Sequence, residues 1–218
     1  INSYPGNGND QTILGRPWKS IFGYVADGLF QTPEKVEAHA EQPGKGLGRI
    51  RYKDLDENGE INDEDRTWLG VEDPKFLYGL NISASYKQFD FSMFWNGQVG
   101  SHAYNDQKGY TDFYGFFGGQ NYGARLLDAW RPDNTGSTIP AVSASDVNNE
   151  QRRSSYFVEN TSFLKLANFE IGYRLPGRWI QSAKMESARI YLSGQNLLTI
   201  KKGWGDNAFT GVDPETPN

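Results

Sequence analysis

Seven carboxylates crowd into twelve residues, Asp54-Leu55-Asp56-Glu57-Asn58-Gly59-Glu60-Ile61-Asn62-Asp63-Glu64-Asp65. Calcium takes six to eight oxygen ligands, and a twelve-residue loop converges them from positions 1, 3, 5, 7, 9 and 12, with glycine at 6 for the sharp turn. Numbered in this way, Asp54, Asp56 and Asn58 fall at the first three ligand positions and Gly59 at the turn. Glu60 offers its backbone carbonyl, Ile61 packs inward, Asn62 acts directly or through water, and Asp65 closes the ring. Asp65 is shorter than the usual closing glutamate and reaches less far toward a bidentate closure. No helix pair flanks the stretch. The spacing predicts a stand-alone structural calcium loop that pins a long surface connection, against the alternative of a solvated acidic turn.

A second group is aromatic: Tyr104, Tyr110, Phe113, Tyr114, Phe116, Phe117 and Tyr122, set among Gly and Asn. Rigid rings on a loop supply stacking surface for a ligand or partner. The same rings also suit a small core internal to the loop, and the pattern leaves both readings open. Bond-breaking chemistry has no comparable constellation. His39 and His102 lack serine or carboxylate partners at motif spacing, and neither Gly-x-Ser-x-Gly nor His-Glu-x-x-His occurs. A glycosidase pair cannot be singled out among so many carboxylates. No enzymatic activity is expected, and no organic cofactor.

The elements that must position these groups are strands. From Phe76 to Gly100, Leu80, Ile82, Ala84 and Tyr86 alternate with Asn81, Ser83, Ser85 and Lys87. After a tight turn near Gln88, Phe89, Phe91, Met93 and Trp95 alternate with Asp90, Ser92 and Asn96. Period-two alternation of this kind predicts half-buried strands, and runs of about 9–11 residues match a tilted membrane-crossing strand. A second hairpin is predicted from Phe163 to about Leu197. Phe163, Ala167, Phe169, Ile171, Tyr173 and Leu175 would share one face, and Asn168, Glu170, Gly172 and Arg174 the other. With an imperfect strand over Thr12–Val25, five strands are expected. Two short helices are predicted in the long connections: one capped by Thr32 with Pro33 at its first position, the other from Tyr122 to Trp130. The glycine cluster Pro43–Gly48 reads as a turn, since no phosphate-loop Gly-Lys-Ser/Thr follows.

Composition agrees with a β chain of this kind. The 218 residues are 37% hydrophobic and 14% aromatic with 25 glycines, and no run is long enough for a membrane helix. There is no cysteine, so disulfides and thiolate chemistry are excluded. The net charge of -5 is local: without the seven carboxylates of the acidic loop the rest carries about +2, and no basic stripe points to nucleic acid. Turns are short on one side of the strands (near Gln88 and after Leu175), while connections on the other side are long. That asymmetry, with Tyr86, Phe89, Tyr173 and Trp179 near the short turns, is the pattern of an outer-membrane barrel with an aromatic girdle. Too few strands are present to close one, and open edges do not face lipid.

Several motifs in order resemble the C-terminal part of SusC-type TonB-dependent transporters of the Bacteroidota outer membrane. They are Lys53-Asp54-Leu55-Asp56 through Gly59, Ile61, Asp65-Arg66 and Gly70; Tyr86-Lys87-x-Phe89-Asp90; Trp130-x-Pro132-x-Asn134; Ser162-Phe163-Leu164-Lys165-Leu166; Gly194-Gln195-Asn196-Leu197; and Gly211-Val212-Asp213-Pro214-Glu215. The resemblance covers nearly the whole chain. It implies residues 1–218 as antiparallel strands of part of a transmembrane β-barrel, with long extracellular loops, short periplasmic turns, and the plug domain and last strand absent. It further implies a SusD-like lipoprotein lid, TonB engaged through an N-terminal region this sequence lacks, outer-membrane lipid around the barrel, and oligosaccharide or peptide cargo. The competing expectation is a soluble, secreted, calcium-stabilised β domain that binds glycans. The row Phe169, Ile171, Tyr173 separates the two: a sandwich buries it in a core, whereas a barrel turns it to lipid.

Overall fold

The predicted alternation produces long strands wherever it is regular. The computed structural model describes residues 16–114, 121–145, 148–181, 184–201, 210–211 and 213–215. In chain order its strands are β1 (Ser20–Tyr24), β2 (Ala26–Leu29), β3 (Ile50–Tyr52), β4 (Arg66–Val71), β5 (Phe76–Tyr86), β6 (Phe89–Val99), β7 (His102–Tyr104), β8 (Val158–Asn160), β9 (Phe163–Arg174) and β10 (Arg189–Ile200). The helices are single turns, α1 (Pro33–Glu37), α2 (Gln107–Thr111) and α3 (Gly177–Ile180), joined by two short 3₁₀ segments, Asp63–Asp65 and Ala124–Asp128. The chain divides into two units, one of residues 1–73, 102–159 and 217–218, the other of 74–101 and 160–216.

The second unit is built on one antiparallel sheet in the order β10-β9-β6-β5. Only Lys87 and Gln88 separate β5 from β6, and Lys87 takes a left-handed φ of 55° to close the turn. Register puts the apolar residues of all four strands in rows. Ile82 pairs with Met93 and Met93 with Phe169; Phe91 pairs with Ile171 and Ile171 with Leu192; Tyr86, Phe89, Tyr173 and Ile190 form the row nearest the short turns. Among the described residues of this unit no second layer packs on this face. Leu80 is 55% exposed, Leu192 69% and Tyr86 71%.

A bulge corrects one predicted face. Trp95 pairs with Leu166 but Phe94 with Asn168, so Ala167 is an extra residue on β9. One inserted residue inverts every side chain beyond it. Leu164 and Leu166 therefore join the apolar face, while Phe163, expected there, moves with Lys165 to the polar one. Opposite the bulge, β10 skips from Gln195 to Leu198, with Asn196 at φ 52°. The compensating offset restores Leu198 and Ile200 to the apolar rows.

The polar face is tied by charge. Arg189 on β10 reaches across β9 to Asp90 on β6 and also pairs with Glu170 at 2.6 Å. Its guanidinium crosses directly above Gly172, where a Cβ would overlap it, so the glycine there is a demand of the cross-strand tie. Further along, the buried Lys165 ammonium pairs with Asp213 at 3.1 Å and Glu215 at 2.5 Å.

The first unit holds the long connections. Its core gathers Leu29, Ile50, Tyr52, Ile61, Phe113, Trp130 and Phe157. Three two-stranded ribbons surround it, β1 with β4, β2 with β3, and β7 with β8. The strand expected over Thr12–Val25 appears only as β1, which pairs with β4 apart from the four-stranded sheet; residues 12–15 lie outside the described residues. The chain thus contributes four long strands to that sheet instead of five. Thr32 caps α1 as expected, accepting the Lys35 N–H at 3.4 Å. The helix expected over Tyr122–Trp130 is only the 3₁₀ segment Ala124–Asp128. Its leading residue, Gly123, has no side chain to cap it, and i→i+3 bonds such as Leu126 N–H to Gly123 carbonyl take over.

Candidate functional site

The acidic stretch folds back on itself through its own side chains. Asp54 Oδ2 accepts the Gly59 N–H at 2.9 Å, Asp56 Oδ1 accepts the Asn58 N–H at 3.1 Å, and Asn58 Oδ1 accepts the Glu60 N–H at 2.8 Å. Such short-range bonds to backbone are what Asp and Asn offer in turns. Gly59 turns the chain at φ 85°, as its place in the spacing requires. Asp65 is fully buried; its two oxygens accept the Leu55 N–H at 2.6 Å and the Asn62 N–H at 2.8 Å, stapling both ends of the loop together. Ile61 packs inward against Ile50 and Tyr52, as expected for its position. On either side of it, Glu41 accepts the Ile61 N–H at 2.9 Å and donates to the Gly59 carbonyl at 2.7 Å.

The structure brings Asp54, Asp56 and Asp65 together, with one carboxylate oxygen of each within 4.8 Å of the others. Asp54 Oδ1 is shut off from solvent and has no hydrogen-bond partner. A carboxylate oxygen in that condition calls for a cation or an ordered water, so the three carboxylates fit a hard divalent ion. The other predicted ligands are placed differently. Asn62 spends its side-chain oxygen on the Glu64 N–H at 2.8 Å, and Asn58 donates to Asp56 at 2.9 Å. The Glu60 side chain is exposed. Burial works against ionisation of Asp54, yet the Gly59, Glu57 and Asn58 N–H groups outweigh it and hold the carboxyl below its ordinary range. The ionised form is the one a cation needs.

Tyr24 on β1 fastens the loop to the unit: its hydroxyl donates to Asp63 at 3.0 Å. Burial, then the Asp63 carboxylate, pushes the phenol up to about 12, so it remains a donor at any physiological pH.

The chain matches no family model. Sequence relatives, in contrast, extend over all of it. TonB-dependent receptor P3 of Formosa agariphila is 34% identical over 220 residues, which take in 99% of this chain and 21% of that protein. TonB-dependent receptor SusC of Bacteroides thetaiotaomicron is 28% identical over 197 residues, 88% of this chain and 17% of that protein. The chain is thus similar to part of the TonB-dependent receptors, SusC among them. It spans about a fifth of the length of the curated relatives it matches. The RagAB peptide transporter structure has the same fold over 97% of the chain, with a TM-score of 0.69 at 23% identity, and again about a fifth (21%) of that chain is involved.

The predicted aromatic group splits. Phe113 is buried and Tyr104 partly buried, with ring centroids 5.8 and 5.3 Å from Phe157, so these two pack on the first unit's core. Tyr110, Tyr114 and Tyr122 stay on the surface, and Tyr114 lies 5.0 Å from Tyr122. Phe116 and Phe117 lie outside the described residues. No local spacing announces the polar groups that position this loop. Glu159, buried, pairs with Lys108 at 2.9 Å and accepts from Asn105 at 2.8 Å. Tyr156 donates to Asp112 at 2.8 Å, and burial holds its phenol well above the ordinary value. Nor did the sequence single out Gln42, Asn148 and Glu150, which converge on β3 from distant points of the chain. Gln42 donates to Asn148 at 2.7 Å and to the Ile50 carbonyl at 2.8 Å, and Glu150 accepts the Ile50 N–H at 2.9 Å.

Proposed function

We propose that this chain is the C-terminal part of the barrel of an outer-membrane importer, acting in TonB-dependent uptake with a SusD-like surface lipoprotein. The observation that carries the reading is the uncovered apolar face of the β10-β9-β6-β5 sheet. A soluble glycan-binding sandwich would lay a second layer over Phe169, Ile171 and Tyr173, and among the described residues of that unit there is a single sheet. Lipid is the solvent that accepts such a face without cost. Strands of 11–12 residues suffice to cross when tilted. Tyr86, Phe89, Tyr173 and Trp179 then form the periplasmic girdle, and the long connections lie outside the cell. The mechanism is binding and energised passage of an oligosaccharide or peptide, without bond cleavage. The test is fractionation of the full protein from its source. Outer-membrane recovery, release only by detergent and co-purification of a lipoprotein are expected; recovery as a soluble species near 24.5 kDa would overturn the reading.

Calcium in the Asp54–Asp65 loop is the second part of the proposal. The convergence of Asp54, Asp56 and Asp65 and the unpartnered Asp54 oxygen support it. The ion would neutralise three neighbouring carboxylates and set the loop against the first unit's core. Calorimetric titration of the full receptor with calcium is expected to show a site that Asp54→Ala and Asp56→Ala each weaken at least about tenfold, as loss of a ligand charge does. Absence of binding at millimolar calcium, with both variants indistinguishable from the parent, would remove the ion from the proposal.

A further inference from the structure

Asn58 carries a chemistry of its own, separate from ion binding. It precedes Gly59, and its side chain is exposed. Glycine has no Cβ to screen its backbone nitrogen, so an Asn-Gly pair is where the main chain most readily attacks a side-chain amide. In that reaction the Gly59 nitrogen bonds to Asn58 Cγ and the Cγ–Nδ2 bond breaks. The proton lost from the Gly59 nitrogen ends on Nδ2, which leaves as ammonia. Water then opens the resulting succinimide on one side or the other, giving aspartate or isoaspartate. Either product adds a negative charge beside Asp54, Asp56 and Asp65, and isoaspartate also lengthens the backbone at the turn.

The reacting groups are all engaged in the folded loop. The attacking Gly59 N–H donates to Asp54 Oδ2 at 2.9 Å, and the leaving Asn58 Nδ2 donates to Asp56 Oδ2 at 2.9 Å. The Asn58 side-chain oxygen accepts the Glu60 N–H at 2.8 Å, and the Asn58 backbone N–H donates to Asp56 Oδ1 at 3.1 Å. Closing the succinimide removes the Gly59 proton and expels Nδ2, so both bonds to carboxylates are lost on the way. Hydrogen bonds to an ionised acceptor are the strong ones. The Asp54 carboxylate also disfavours loss of the Gly59 proton, because the anion left behind would face a like charge.

The two Asp54 oxygens act separately. Oδ2 holds Gly59, whereas Oδ1 has no hydrogen-bond partner. An ion bound through Oδ1 leaves the Gly59 bond in place. We propose that Asn58 is a latent deamidation site, kept as an amide by Asp54 through the Gly59 N–H and by Asp56 through Nδ2. The shield depends neither on transport nor on calcium.

The experiment ages the full receptor in detergent at mildly alkaline pH and follows Asn58 by digestion and mass spectrometry, with isoaspartate resolved by chromatography. A synthetic peptide of residues 53–62 supplies the unshielded rate. Asn96-Gly97, within β6 and between β5 and β9, is the internal standard and should hold one rate in every variant. Asn58 in the parent receptor is expected to convert about tenfold or more slowly than in the peptide, as holding the N–H on a charged acceptor implies. Asp54→Ala frees the Gly59 N–H and should bring the rate close to that of the peptide. Asp54→Asn keeps the shape without the charge and should fall between. Hydrogen exchange at Ile50 and Tyr52 reports whether each variant keeps the first unit's core; if Asp54→Ala loses it, Asp54→Asn decides. A calcium chelator should leave the parent rate unchanged. A parent rate equal to the peptide's, or Asp54 variants no faster than the parent, would overturn the shield. Chelation that raises the parent to the Asp54→Ala rate would also overturn it, assigning the protection to a bound ion instead of these hydrogen bonds.

Discussion

Replacing Glu150 with alanine is expected to cost the first unit about 3–5 kcal/mol, the usual result of removing one partner of a buried ion pair. Glu150 is fully buried, with Oε2 3.0 Å from the Arg49 guanidinium and Oε1 2.9 Å from the Ile50 N–H. Alanine strands both donors in a site from which water is excluded. The arrangement around them also loses its centre, because Asn148 donates to both Glu150 and the Ile50 carbonyl. Hydrogen exchange at Ile50 and Tyr52 in the full receptor reads the effect, which should speed their exchange by roughly 10²–10⁴-fold. Glu150→Gln keeps the shape and one acceptor and is expected to lose less. The two variants also differ in pH response. Burial raises the Glu150 pKa above 4.5, against the pull of Ile50 N–H and Arg49. Its proton is therefore bound more tightly in the folded state than in the unfolded one. That contribution is fully present below 4.5 and is lost as pH rises through the elevated folded value. Glu150→Gln should lack this dependence. Unchanged exchange in Glu150→Ala would show that the pair adds nothing to the unit.

The second large effect is a contrast between neighbours. On the proposed membrane reading, Ile82→Arg is expected to destabilise the barrel by about 2–4 kcal/mol, whereas Ser83→Arg should be close to neutral. Ile82 sits in the middle row of the apolar face, opposite Met93, and Ser83 points to the polar side, opposite Ser92. Both are exposed in this chain. In water, two exposed positions one residue apart would tolerate arginine alike. Only lipid on one face makes them differ, since a cation at the bilayer midplane costs this much and a lumen-facing one does not. Folding into detergent or lipid vesicles, followed by heat-modifiable gel mobility, measures the contrast. Equal behaviour of the two variants would remove the membrane reading of this sheet.

The long strands and the acidic loop were legible because each depends on a local repeat. Alternation at period two specifies a strand face without reference to any partner, and β5 follows it from Leu80 to Tyr86 and β6 from Phe89 to Met93. The turn glycine, the inward Ile61 and the three carboxylates of the loop lie within one twelve-residue window, where spacing alone sets geometry. Thr32 and Pro33 marked a helix start for the same reason.

What the tertiary structure alone decided involves residues far apart in the chain. Phe163 changed faces because a bulge at Ala167 inverts the pleat, and a bulge is defined only against the neighbouring strand. Ser20–Tyr24 paired with β4 in preference to the main sheet, a choice made by long-range hydrogen bonding that no local pattern encodes. Glu150 lies about a hundred residues from Arg49 and Ile50, and Glu159 about fifty from Lys108; their value arises from desolvation, which exists only after the chain has closed around them. The sequence by itself determined strands, turn and loop, since these follow from neighbours within a few residues. The tertiary structure determined which groups lost their water, because burial is a property of the whole fold.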